Sequence, residues 1–74
     1  MNTPRNALVL GMGRSGLGAA RLLLREGARV TVADGGVLPA AAAPLQDAGV
    51  DLRPGLRELP GEPFDLAVVS PGFA

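Results

Sequence analysis

Seventy-four residues leave room for one small domain, and a chain this short buries only about 60% of the surface that its unfolded form exposes. The composition is globular, with 47% hydrophobic residues and seven basic residues balancing seven acidic ones, so neither a nucleic-acid footprint nor an acidic tail is expected. With no Cys and no His, the chain has no disulfide framework, thiolate nucleophile, zinc knuckle or neutral-pH general base.

A polar lead from Met1 to Asn6 gives way to Ala7-Leu8-Val9-Leu10, a continuous apolar run suited to a strand buried on both faces of a parallel sheet. The run is much shorter than a signal-peptide core. No segment reaches the ~20 apolar residues of a membrane span, so a cytoplasmic protein without a membrane partner is expected. The strand breaks at Gly11-Met12-Gly13-Arg14-Ser15-Gly16, and a helical pattern follows. Leu17, Ala20, Leu23 and Leu24 mark its apolar face, and Arg21 and Arg25 its solvated one. Ser15 is the expected N-cap and Gly27 the glycine that closes the helix.

Arg29 to Ala33 reads as a second strand rich in β-branched residues, stopping at Asp34-Gly35-Gly36. Pro39 to Ala48 suggests a weaker helix interrupted by Pro44 and closed by Gly49. A short strand around Val50-Asp51-Leu52 leads into a stretch punctuated by Pro and Gly, and Asp65 to Val69 forms a last apolar strand ending at Ser70-Pro71-Gly72. The order implies an α/β fold: a Rossmann-like, doubly wound parallel sheet in a single small domain. Such a domain ordinarily continues past this point, so the sequence is expected to be part of a longer protein.

Three features carry chemistry. Gly11-x-Gly13-x-x-Gly16 follows a strand, opens a helix, and has the acid Asp34 near the usual twenty-residue offset, the context that makes a glycine fingerprint informative. Gly11 allows the tight turn, Gly13 the approach of a phosphate, and Gly16 close helix–strand packing. The N–H groups and dipole at the helix start favour an anion there. Asp34, at the carboxyl end of the second strand, suits a ribose hydroxyl or a base-edge N–H, or else simply initiates an Asp-Gly turn. Ser70-Pro71-Gly72 ends its strand at the same sheet edge. Arg14 and Ser15 can reach a phosphate from inside the loop. The remaining acids, Asp47, Asp51, Glu58, Glu62 and Asp65, read as surface or turn residues, and Met12 as filler.

Together, VLGMGRSGLGAARLL, VTVAD and DLAVVSPGFA resemble the N-terminal domain of the Mur ligases, specifically the D-glutamate-adding branch. The most specific element is a G-x-G-x-[ST]-G loop paired with a terminal S-P-G, and the resemblance covers essentially the whole chain. It implies that residues 1–74 form a UDP-binding domain for UDP-N-acetylmuramoyl-L-alanine, working with ATP-binding central and C-terminal ligase domains elsewhere in the same protein. It further implies that Gly13, Arg14, Ser15, Asp34, Gly35, Gly36, Ser70, Pro71 and Gly72 line the UDP site, with Asp34 on the uracil edge. Gly35-Gly36 stand where that branch often has a hydroxyl residue and an Arg. The implied activity is ATP-dependent amide formation in cell-wall peptidoglycan synthesis, with ATP and Mg²⁺ held outside this piece. The chain has no GxxxxGK[ST] and no Lys, so it does not itself hydrolyse ATP, and no catalytic or metal-binding residue is expected in it.

Two other readings remain open at this stage. The same fingerprint and Asp34 suit an NAD(P)- or FAD-binding domain of an oxidoreductase or regulator. A silent module whose glycines serve packing alone is the third. Asp34→Ala is expected to weaken UDP binding and leave the fold intact, and Gly13→Val to block the phosphate.

Overall fold

The computed structural model describes residues 5–58 and 60–70. Four parallel strands, β1 (Asn6–Leu10), β2 (Arg29–Ala33), β3 (Asp51–Arg53) and β4 (Leu66–Val69), form one sheet in the order β3-β2-β1-β4. Helix α1 (Arg14–Arg25) joins β1 to β2. A 3₁₀ turn, Ala40–Ala42, runs into the short helix α2 (Ala43–Asp47) between β2 and β3. The sheet has the expected Rossmann-like α/β topology. Because β2 and β4 flank β1 on opposite sides, the strand order reverses at β1, and the crevice at its carboxyl end is the place such sheets reserve for ligands.

The register explains the two layers. Ala7 and Val9 face the helices with Val30 and Val32, and they pack with Leu17 and Ala20 of α1, Ala42 and Leu45 of the second helical segment, and Met12, Ala28 and Val50 in a single aliphatic cluster. Val9 and Val32 are fully buried. Leu8, Leu10 and Ala33 alternate onto the opposite face, where Leu56 and Phe64 of the β3–β4 connection cover them. Helices thus clad one face, and irregular chain the other. Both helices end in the same way. Gly27 (φ +93°) and Gly49 (φ +98°) donate to Leu24 and Gln46, and the next residues, Ala28 and Val50, donate to Leu23 and Leu45. This is the left-handed glycine closure that satisfies the last helical carbonyls.

Two expectations change. Pro44 does not interrupt a helix: it lies in the first turn of α2, where a missing N–H costs nothing, and the Ala-rich segment before it tightens into the 3₁₀ turn. Ser15 is not the N-cap; Gly13 is, without a side-chain hydrogen bond, and Ser15 lies inside the first turn. The expected last strand is present as β4, at the end of the described sheet, with Leu66 and Val69 exposed.

The interval between α1 and β1 is set by Gly16. A Cβ there would strike the Gly11 carbonyl oxygen and come within 3.4 Å of the Ser70 Cβ. A Cβ on Gly18, one half-turn on, would meet no atom of the described residues within 4 Å. Gly16→Ala is therefore expected to destabilise the protein by about 1–3 kcal/mol through overpacking. Gly18→Ala should stabilise it by about 0.5–1 kcal/mol through helix propensity. Urea unfolding of the two variants checks this: shifts of the same sign would contradict the packing account.

Candidate functional site: the glycine loop at the strand-order reversal

At the carboxyl end of β1 the chain turns at Gly11, whose φ of +113° only glycine adopts readily. Its N–H donates to the Ala33 carbonyl at 2.8 Å, which carries the ladder one step past the strand. The helix then begins at Gly13 in extended geometry (φ −72°, ψ −179°), and the Leu17 N–H closes the first helical turn on the Gly13 carbonyl at 2.9 Å. Gly13, Arg14 and Ser15 are all exposed. Among the described residues no acceptor takes their N–H groups, and the first turn contains no acidic residue. The positive end of α1 is therefore uncompensated, with Arg14 adding a cation where helices prefer anions.

Gly13 differs from its neighbours in one decisive respect. Its backbone angles are open to any residue, and a Cβ there would meet no atom of the described residues within 4 Å. Packing explains Gly16, and the turn explains Gly11. Neither explains Gly13, of which the helix asks only an N-cap, a position that Asn, Asp or Ser would fill better.

Asp34, half-buried just beyond β2, has both carboxylate oxygens engaged. Oδ2 accepts the Met12 N–H and Oδ1 the Gly36 N–H, each at 2.7 Å. These two bonds, from Gly36 first and Met12 second, hold its pKa below the ordinary aspartate value against a small opposing effect of burial. The Gly36 bond is an Asx-turn, so the turn-initiating role of Asp34 is realised. The Met12 bond was not legible in the sequence; it ties the glycine loop to the end of β2. Gly35 and Gly36 are exposed, and the Gly36 carbonyl accepts the Gly55 N–H at 2.9 Å.

The structure thus gathers Gly13, Arg14, Ser15, Asp34 and Ser70 at one sheet edge. Ser70 is buried against Gly16 and donates its N–H to the Leu10 carbonyl at 2.9 Å. Pro71 and Gly72 lie outside the described residues. A cleft of about 550 Å³ opens beside the loop, bounded by Gly13, Arg14 and Arg21 on one wall and by Pro39 and Ala41 on the other. Arg21, read from the sequence only as a solvated residue, lines it.

The other acids sort by partner. Asp65 accepts the N–H groups of Arg5 and Asn6 at 2.9 and 3.0 Å, which anchors the start of β1. Arg53 reaches both Asp51 (2.8 Å) and Glu62, and its guanidinium lowers the Glu62 pKa. These groups are exposed, so the pairs contribute little stability.

Against this geometry, the family comparison is decisive: the model of the Mur ligase MurD-like N-terminal domain matches residues 5–74. The chain belongs to the MurD-like N-terminal domain family. Among its relatives is UDP-N-acetylmuramoylalanine–D-glutamate ligase of Pelotomaculum thermopropionicum, 45% identical over 76 residues, which cover 95% of this chain and 16% of that protein. The ligase of the same name from Frankia casuarinae is 50% identical over 70 residues, covering 88% of this chain and 14% of its own length. The chain thus spans about a sixth of these relatives. In solved structures the same fold occurs in the Escherichia coli flavoprotein disulfide reductase RclA (TM-score 0.79, 19% identity, 95% of this chain and 22% of that one). It occurs also in a ferredoxin reductase from Rhodopseudomonas palustris (TM-score 0.72, 24% identity, 93% and 24%). At these identities the likeness is one of fold. No helix among the described residues of this MurD-like domain is long and apolar enough to cross a membrane.

The lowered pKa of Asp34 has a consequence for stability. A carboxylate whose folded pKa lies below its unfolded value stabilises the fold above the unfolded pKa, and that contribution is lost as pH falls through the folded pKa. Below about pH 4 the protein should lose stability, and Asp34→Asn should flatten that part of the curve. Urea midpoints at pH 3, 4 and 7 check this; a variant as acid-sensitive as the parent would contradict it.

Proposed function

We propose that this MurD-like domain holds the uridine diphosphate of UDP-N-acetylmuramoyl-L-alanine, with the diphosphate over the N-terminus of α1. The observation that carries the reading is the open space at Gly13, a glycine that neither backbone strain nor packing among the described residues requires, set beside N–H groups without a described acceptor. A phosphate fills the volume a Cβ would take and accepts those donors. Arg14 and Ser15 add charge and a hydroxyl, Ser70 bounds the far side, and Asp34-Gly35-Gly36 face the base. The names of the relatives support this choice of ligand.

In this reading the parent protein is an ATP-dependent ligase that adds D-glutamate to the nucleotide precursor of peptidoglycan in the cytoplasm. This domain contributes binding and orientation of the donor. The residues of this chain do not fit ATP or magnesium: it has no Lys and no P-loop, and no group of three potential metal ligands occurs among the described residues. Those cofactors belong to further domains of the same protein.

Calorimetry with UDP and NAD in parallel tests the assignment. UDP should bind the parent. Gly13→Val should abolish most of that binding while costing only about 1 kcal/mol of unfolding free energy through the poorer N-cap, because its Cβ meets no described atom. Unchanged UDP affinity in Gly13→Val would remove the loop as the anchor, and binding of NAD but not UDP would favour the dinucleotide alternative.

A further inference from the structure

We infer that Asp34 is a positioning residue for the anion loop, fixing the main chain that receives the diphosphate as well as facing the base. The inference rests on the reading of the loop as an anion site and deepens it. Its ground is the 2.7 Å bond from the Met12 N–H to Asp34 Oδ2, which spans 22 residues and joins the two loops at the working edge of the sheet. Met12 sits between Gly11 and Gly13, the two most conformationally free links in the loop, and its side chain is locked in the core at 4% exposure. With its N–H held as well, the Gly11–Gly13 segment is pinned at both side chain and main chain. The direction in which the Gly13, Arg14 and Ser15 N–H groups point is thereby set before any ligand arrives.

The clamp is itself braced. Oδ1 of the same carboxylate takes the Gly36 N–H at 2.7 Å. The Asp34 main chain is held on both sides, its N–H by the Arg53 carbonyl and its carbonyl by the Leu56 N–H, each at 3.1 Å. A side chain meant only to greet a ligand needs no such support. The arrangement also divides the donors by task. The Met12 N–H is spent on an internal carboxylate, so the anion must be received by the turn that follows it.

Electrostatics makes the test sharp, because it opposes the proposal in sign. A carboxylate near an anion site repels the anion, so removing it without moving the loop should tighten anion binding. Removing a clamp should weaken it. Inorganic pyrophosphate, which has no base, serves as the probe beside UDP. Asp34→Ala should weaken both ligands by a similar factor, at least about tenfold, the scale of one charge-assisted hydrogen bond. The Met12 amide should lose its protection from hydrogen exchange in the same variant. Asp34→Asn, isosteric and still able to offer one acceptor oxygen, should fold and recover part of the affinity for both ligands together, which keeps the test decisive if Asp34→Ala is poorly folded. Loss of UDP binding with pyrophosphate affinity unchanged or improved would overturn the proposal in favour of a base contact. A parent protein that bound neither anion would instead overturn the anion-site reading, and this proposal with it.

Discussion

The working edge of this domain depends on how closely α1 can start against the end of β1. At Gly16 the helix passes so near the Gly11 carbonyl and Ser70 that no side chain fits between. That approach aims the first turn across the crevice where β1 has neighbours on both sides and the connections diverge. Every later feature of the site follows from it: the exposed donors of Gly13 to Ser15, the tether from Met12 to Asp34, and Ser70 brought in beside them from the last strand. The sheet supplies the rigidity, since β1 is paired along its length on either side and its inward residues are almost wholly buried.

Within that frame the three glycines of the fingerprint have three different causes. Gly11 answers to backbone conformation and Gly16 to packing. Gly13 answers to neither among the described residues: it caps α1, and the space beside it is open. Separating these causes gives functional weight to a motif that, as a string of letters, is shared by dinucleotide enzymes and by this family alike. The flavoprotein likeness is the same point seen from the fold: the scaffold is common, and the site decides its use.

Local signals announced much of this. The apolar run of β1, the β-branched β2 and the glycine after each helix fixed strand, helix and ending to within a residue or so, because short-range physics governs them. The extent of the Pro44 segment was misread because proline forbids a helix interior and favours a first turn, and only the neighbouring 3₁₀ turn shows which applies. Ser15 looked like a cap because serine caps are common, whereas the Gly13 backbone places the cap two residues earlier. Two carboxylates, Asp34 and Asp65, bind main-chain N–H groups of distant segments, and no spacing rule foretells such pairings. In the sequence Asp34 reads as a ligand-facing or turn-initiating acid and Asp65 as a surface or turn acid, neither as a tether.

The most direct test of the central claim is an amide-resolved NMR titration of the protein with UDP. The account predicts that the largest shifts fall on Gly13, Arg14 and Ser15, whose N–H groups have no acceptor among the described residues, and that the Gly11 N–H, already bonded to Ala33, moves little. Shifts centred elsewhere on the sheet, with the start of α1 silent, would contradict it.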